Sequence, residues 1–422
     1  MAFISTVPRR CVNLPAGAGR VLASCVVRRT VQGGTALAEF EQRLAQWLGV
    51  PYAFGTSMGR SAFQLALEAL ELAPGSEIIF PALTFPIIPL VAQTLGYRPV
   101  FCDVDPQTFN AGPGHIAAKI TERTGAVVAT HLFGQPCAIT DIVSLAQRHR
   151  LRVVEDCAHA CGVRVDGRQV GTFGDVGVFS FAEGKNMPCC GGGAIATSDS
   201  TIARRAEAIL ARAAVPATGA VLRTALEVWA KWLFTRPAIF GLTAYPALRF
   251  KLYLGQSLMD SVVGEELLAA CQAAPPSVGR MANLQAAIGL LQLKHIDAFN
   301  EGARRNAQLL TDSLGKVSGI GVPPALAGNH IYVYYPLTVT PSKRDDLRHF
   351  LLRHGVDAKI TDMCDCSVLP AFGASQATPQ RSNGLNGLYE ETLLEICVYP
   401  VISAQQIRHI AQTIRAWAEI SA

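Results

Sequence analysis

The chain has 422 residues, half of them hydrophobic and 16% charged, with a formal net charge of +5. That profile excludes a disordered chain, and so small an excess of charge leaves no footprint for nucleic acid. No uncharged apolar run approaches the roughly 20 residues that span a bilayer, and the first residues lack an apolar stretch of signal-peptide length, so the expectation is a cytoplasmic protein with one large and one smaller domain.

From about residue 40 the pattern alternates between helix and strand periods. "LAEFEQRLAQWLG" (37–49) and "SAFQLALEALEL" (61–72) have helical spacing, with "SEIIFPAL" (76–83) a short β-rich run after them. "FPIIPLVAQTLG" (85–96) reads as helix, "RPVFCDVD" (98–105) and "GAVVATHLFG" (125–134) as strands, "AITDIVSLAQRHR" (138–150) as helix and "LRVVEDCA" (151–158) as strand. Near-continuous apolar strands alternating with helices predict an α/β domain whose mostly parallel, mixed sheet is covered on both faces. Ligands in such sheets sit beyond the carboxyl ends of the strands, where Thr130, His131, Asp156 and the segment Ser180 to Lys185 fall.

After Ile202 a helical stretch leads into "VLRTALEVWAKWLFTRPAIFGLTAYPALRFKLYL" (221–254). Its uncharged pieces are too short to span a membrane, and prolines interrupt it. It reads as a mildly basic amphipathic element, which could cover the core, pack on a partner subunit or lie on a membrane surface. The run 283–310 has the period of one long helix, and a second α/β unit begins near residue 328 and ends in a helix over 404–420.

The chemistry concentrates in "VGVFSFAEGKNMPCCGGGAIATSD" (176–199), where a single lysine, Lys185, precedes a glycine-rich turn. Burial penalises an ammonium, and the neutral amine it favours is the form that attacks a carbonyl to make a Schiff base. A pyridoxal phosphate enzyme also needs a carboxylate for the pyridine nitrogen, donors for a phosphate and an aromatic face for the ring. Asp156 ends an apolar strand, Ser180 and the turn "GTSMGRS" (55–61) offer donors, and Phe85 follows a strand. The 12 cysteines, among them Cys157 with Cys161, the adjacent Cys189 and Cys190, and Cys364 with Cys366, lack the spacing of zinc knuckles. No metal is expected, and the thiols read as small apolar residues in a reducing compartment.

In sequence order, "EFEQRLAQWLGVPYAFGTSMGRSAFQLALEAL", "EIIFPALTFPIIPLVAQTLGYRPVFCDVDPQTFN", "VVATHLFGQPCAITDI", "VVEDCAHACG", "GTFGDVGVFSFAEGKN" and "LQAAIGLLQL" resemble the DegT/StrS-type sugar aminotransferases, fold-type I pyridoxal phosphate enzymes. The resemblance implies an aspartate-aminotransferase-like large domain with a smaller C-terminal α/β domain, and a homodimer with its site at the subunit interface. It implies Lys185 as the residue that carries the cofactor and shuttles protons, Asp156 at the pyridine nitrogen, Phe85 and His159 beside the ring, and Ser180 and Gly59 at the phosphate. The implied activity moves an amino group from an amino acid such as glutamate to a keto-sugar or similar acceptor. Other pyridoxal phosphate chemistry, dehydration or decarboxylation, and a non-catalytic membrane- or partner-binding homologue remain alternatives at this point.

Several positions depart from the family's wording. Met58-Gly59-Arg60 replaces a Ser-Gly-Thr phosphate turn, with Arg60 able to pair with phosphate; Ala182-Glu183 replaces an aromatic or histidine followed by proline; Val278 replaces an asparagine and Ser367 a histidine. The expected division is an N-terminal arm (1–34), a cofactor-binding domain (35–210), a helical insertion (211–280) and a connecting helix with the small domain (281–422).

Overall fold

The protein is described by a computed structural model that covers residues 6–255, 277–324, 330–373 and 388–421. Seven strands form the central sheet: β1 (Tyr52–Thr56), β2 (Glu77–Pro81), β3 (Arg98–Cys102), β4 (Thr124–Thr130), β5 (Arg152–Asp156), β6 (Val176–Ser180) and β7 (Gly193–Thr197), in the spatial order β1-β7-β6-β5-β4-β2-β3. The pairs from β6 to β3 are parallel, while β7 runs antiparallel to both β1 and β6. The mixed, mostly parallel α/β sheet expected from the sequence is therefore present.

The continuous apolar strands follow from the sheet's two covered faces. Ile79, Val127, Val153 and Phe179 point into one cluster with helix Ala36–Leu48, and their neighbours Ile78, Val128, Val154 and Val178 point into another with helix Gly59–Leu70. Alternation along each strand thus separates two cores, both buried, so no polar face appears in the pattern.

The run read as one helix over 283–310 is two, Asn283–Leu293 and Ile296–Leu314, divided at Lys294–His295. The two halves serve different bodies: Ala286 packs with Phe40 in the large-domain core, whereas Ala307 and Leu310 pack with Ile407 and Ile410 of the C-terminal helix Ala404–Ser421. The helical hydrogen bonding is interrupted where the chain passes from one body to the other. The smaller unit carries an antiparallel sheet of β8 (Ile320–Gly321), β9 (Tyr335–Val339), β10 (Lys359–Ile360) and β11 (Leu393–Ile396), in the order β8-β9-β11-β10. The basic apolar tract forms helices Thr218–Phe234, Pro237–Leu242 and Ala244–Tyr253.

Candidate active site

The carboxyl ends of β1, β4, β5 and β6 open onto a cavity of about 420 Å³. All seven residues singled out from the sequence, Gly59, Arg60, Phe85, Asp156, His159, Ser180 and Lys185, line it. Register explains the convergence. Thr56 pairs with Gly193 and Gly193 with Ser180, while Thr130 pairs with Asp156, so the chemistry sits at one level across the sheet.

The floor is made by close backbone approach. Helix Gly59–Leu70 starts at the end of β1, and its first turn leaves N–H groups without intrahelical partners beside Ser180. A Cβ on Gly59 would lie 2.7 Å from the Ser180 Oγ, and one on Gly193 would lie 2.7 Å from the Met58 carbonyl oxygen. Gly191 and Gly192 have φ of +92° and +100°, values that turn the chain into β7 and disfavour any side chain.

Lys185 stands on a loop pinned at its base, where the Cys189 amide donates to Phe181 at 3.0 Å and the Phe181 amide to Gly192 at 2.9 Å. Both chain neighbours of the lysine are fixed as well. The Gly184 carbonyl accepts the hydroxyls of Tyr334 at 3.1 Å and Tyr399 at 3.3 Å, and Asn186 Nδ2 donates to the Cys161 carbonyl at 2.7 Å. Burial lowers Lys185 to about 8, with Lys359 adding to the fall and Asp156 opposing it. Asp156 accepts the Ala158 amide at 3.0 Å, and its carboxyl is raised, above all by burial. His159 is held well below its ordinary value by burial and then by the two lysines, so it is a neutral ring; its Nδ1 accepts the Phe133 amide at 3.3 Å. Cys189 and Cys190 are fully buried and pushed up by that burial, Cys190 to about 12, which makes them wall rather than nucleophiles.

The small-domain wall was not apparent from the sequence. Lys359, buried beside the cavity, donates to Asp362 at 2.5 Å and to Glu395 at 3.3 Å, and its Nζ lies 5.1 Å from the Tyr334 ring centroid. Burial opposes its charge, but Glu395, Tyr334 and Asp362 together hold Lys359 above its ordinary value. The only sequence signal was a lysine within the short strand "AKIT", indistinguishable from an edge cation. Among the departing positions, Met58, Arg60, Ala182 and Glu183 line the cavity, with Glu183 bound by Lys231 at 2.5 Å and by Arg10 at 3.8 Å. Ser367 does not line it: its amide and hydroxyl both donate to Asp365. Val278 is half-buried next to Gly279, whose carbonyl takes the Ser57 amide at 2.8 Å.

Pyridoxal phosphate fits these groups. The Thr130 hydroxyl is buried in the cavity without a protein partner, the floor admits an anion at a helix start, and an ionisable amine faces a buried carboxyl. A different trio, His131, Glu155 and Cys157, also has metal-ligand atoms within 4.8 Å of one another. Glu155 there is engaged by the amides of Gly171, Phe173 and Gly174 and by His131 Nε2 at 3.2 Å, which makes it a structural hub on the far side of β5 from Asp156.

A fold with this sheet order and a lysine on the loop between β6 and β7 defines a class, and comparison with known proteins specifies it. The profile of the DegT/DnrJ/EryC1/StrS aminotransferase family matches residues 20–224 and 267–415. The chain is 30% identical, over 89% of its length and 86% of the relative's, to UDP-N-acetyl-3-dehydro-alpha-D-glucosamine 3-aminotransferase of Acidithiobacillus ferrooxidans. It is 28% identical, over 92% of its length and 88% of the relative's, to dTDP-3-amino-3,4,6-trideoxy-alpha-D-glucose transaminase of Streptomyces venezuelae. The solved aminotransferase of Psychrobacter cryohalolentis superposes with a TM-score of 0.77 at 25% identity, across 97% of this chain and 98% of that one. The chain belongs to the DegT/DnrJ/EryC1/StrS aminotransferase family. It is an aminotransferase, and its cofactor is pyridoxal phosphate.

Proposed function

We propose that the enzyme takes its amino group from an amino acid, glutamate first among them, and delivers it to the keto group of a sugar or sugar-like acceptor linked to a nucleotide. The observation that carries this reading is the convergence of Lys185, Asp156 and Ser180 in one cavity beside a helix start. By their names, the two relatives above act on UDP- and dTDP-linked sugars, and Arg10 brings a cation to the cavity for a diphosphate.

Bound pyridoxal phosphate supplies a carbonyl that captures the amino group and a ring that delocalises the electron pair left when a C–H bond breaks. Ser180, Gly59 and Arg60 would hold the phosphate and Phe85 would offer the ring an aromatic face. His159, neutral, would stand near the ring without adding charge. Asp156 would take the pyridine nitrogen, and a ring N–H⁺ there would relieve the carboxylate of the cost that burial now imposes. Lys185, at about 8, has roughly a tenth of its amine neutral at pH 7. Its Nζ would hold the cofactor at its carbonyl, and as a free neutral amine it would take up and return the proton of the donor's α-carbon.

A cytoplasmic homodimer divided as the sequence suggests, with arm 1–34, cofactor domain 35–210, insertion 211–280 and small domain from 281, completes the reading. It is supported by the family likeness and by the eleven free cysteines among the described residues, nearly all buried, which suit a reducing compartment.

Purified holoenzyme is expected to absorb near roughly 400–430 nm and, given L-glutamate alone, to lose that band while releasing 2-oxoglutarate. Lys185→Ala is expected to abolish both. A colourless wild-type protein that takes up no cofactor would refute the site assignment; a coloured protein that ignores glutamate but is bleached by another amino acid would refute only the donor.

A further inference from the structure

The family profile leaves residues 225–266 unmatched, and the described part of that stretch has an unusual surface. In helix Thr218–Phe234 two apolar stripes lie side by side. One, Val221, Ala225 and Val228, is buried against Ala282, Leu284 and Ile288. The other follows one position later in the chain, about 100° round the helix: Leu222 and Trp229 are half-buried at the edge of the same cluster, while Leu226 is 64% and Leu233 42% exposed. A helix that needed only to cover the core would be polar on that second face.

The next helices continue the pattern. Leu242 is 67% exposed, and helix Ala244–Tyr253 has no buried residue, while Phe250 and Tyr253 are 62% and 85% exposed. Among the described residues, seven of the twelve exposed large apolar side chains fall between Leu226 and Leu254. Basic residues accompany it: Arg223, Lys231, Arg236, Arg249 and Lys251 against Glu227 give a formal +4 over 218–255, of which Lys231 is paired with Glu183 and the other four cations remain for a partner surface.

We propose that this tract docks the enzyme on the surface of an anionic lipid bilayer. Exposed apolar side chains beside a basic set match the boundary between acyl chains and anionic headgroups, and Tyr253, 85% exposed, is an amphipathic ring of the kind that settles at that depth. Among the described residues no helix is long and apolar enough to cross a membrane, and Pro237 and Pro246 interrupt the tract, so the fit is to lying on the surface. A second copy of the chain is a poorer occupant, because a two-fold contact would oppose one basic patch to another. Helix Thr218–Phe234 also reaches the active site from its other side, through Thr224 at the cavity and Lys231 on Glu183, so a docked enzyme would hold the site close to the headgroups. The inference rests on the fold and not on the acceptor proposed above.

The test is flotation of the full-length holoenzyme with phosphatidylcholine vesicles, with and without phosphatidylglycerol, beside sedimentation velocity of the protein alone. Wild type is expected to float with the phosphatidylglycerol vesicles at low salt and to be released at high salt. The double variant Leu226→Glu, Phe250→Glu is expected to lose at least about tenfold in bound fraction, with cofactor absorption and sedimentation unchanged. Wild type that stays off phosphatidylglycerol vesicles at low salt overturns the proposal. So does a double variant that keeps its vesicle binding while an oligomer falls apart, since the face would then belong to a second copy.

Discussion

The floor of the cavity, from Thr56 to Ser61 and from Ser180 to Gly193, is made of backbone packed so tightly that glycines are required, whereas its small-domain wall is made of buried charges on side chains. On the floor, Gly193 admits the Met58 carbonyl and Gly59 admits Ser180, and the pieces lie in register across three neighbouring strands. On the wall, Lys359, Asp362 and Glu395 meet from β10, the loop after it and β11, and Arg10 arrives from near the start of the chain. A floor of this kind suits the cofactor, which is the same in every turnover. A wall of ion pairs can be retuned one side chain at a time, which suits an acceptor that differs between relatives.

The largest effect is expected on the wall, at Lys359→Met. The change leaves Glu395 and Asp362 without their cation, and breaking a buried pair in this way costs about 3–5 kcal/mol. Urea unfolding of the full chain measures it. Glu395 is already raised by burial despite Lys359, and losing the lysine raises it further. A carboxyl whose folded pKa exceeds its unfolded value holds its proton more tightly in the folded chain, so the penalty should shrink as pH falls toward 5 and grow as pH rises. Lys185 should move the opposite way from its present shift: without the neighbouring charge its amine rises above about 8, and the pH profile of cofactor uptake moves to higher pH. An unchanged profile would show that the two lysines do not sense each other and that wall and floor are electrically separate.

A smaller loss is expected on the floor, at Gly193→Ala. Its Cβ would meet the Met58 oxygen at 2.7 Å and the Gly59 Cα at 2.8 Å, both backbone atoms, so the helix start must shift. Overpacking of this kind costs about 1–3 kcal/mol, and because the strained atoms are those assigned to the phosphate, the loss should appear as a roughly ten- to hundredfold weaker affinity for pyridoxal phosphate. Equilibrium titration of the apoenzyme, followed by absorbance, gives the number. Weakened stability with unaltered affinity would mean that the anion is held elsewhere.

This contrast between floor and wall also explains what could be read from the sequence. Asp156, Ser180 and Lys185 each end or follow a strand, and strand ends are visible in a periodic apolar pattern; Gly59 and the glycines from 191 to 193 mark their own turns. The family's wording then supplied His159 and the partition of roles. Lys359 was not legible, because nothing local distinguishes a lysine paired with Glu395, 36 residues away, from one at a solvated edge. The break at Lys294–His295 was hidden for a similar reason: no proline or glycine marks it, and it exists because two bodies compete for the two halves of the run. Ser367 stands where the family has a histidine, yet its side chain is spent on Asp365.

The smallest effect is expected where wall and insertion meet, at Glu183→Gln. The wild-type carboxylate is half-buried and, although burial opposes its charge, Lys231 and Arg10 bring its pKa below the ordinary value of 4.5. A depressed carboxyl stabilises the fold above its unfolded pKa and stops doing so as pH falls through the folded one. The variant should therefore be less stable than wild type by no more than about 1 kcal/mol near pH 7, and the gap should close in acid. Cofactor affinity and the absorption band should not change, because Glu183 belongs to the floor segment only through its backbone, which the change leaves in place, while its side chain is turned to Lys231 and Arg10. Arg10, released from its partner, is free to meet an anionic acceptor, so KM for a nucleotide-linked sugar should fall a few-fold at low salt, with kcat preserved. A variant whose cofactor affinity drops as far as that of Gly193→Ala would erase the distinction between floor and wall, since a side-chain charge at the mouth would then be holding the cofactor as firmly as the backbone beneath it.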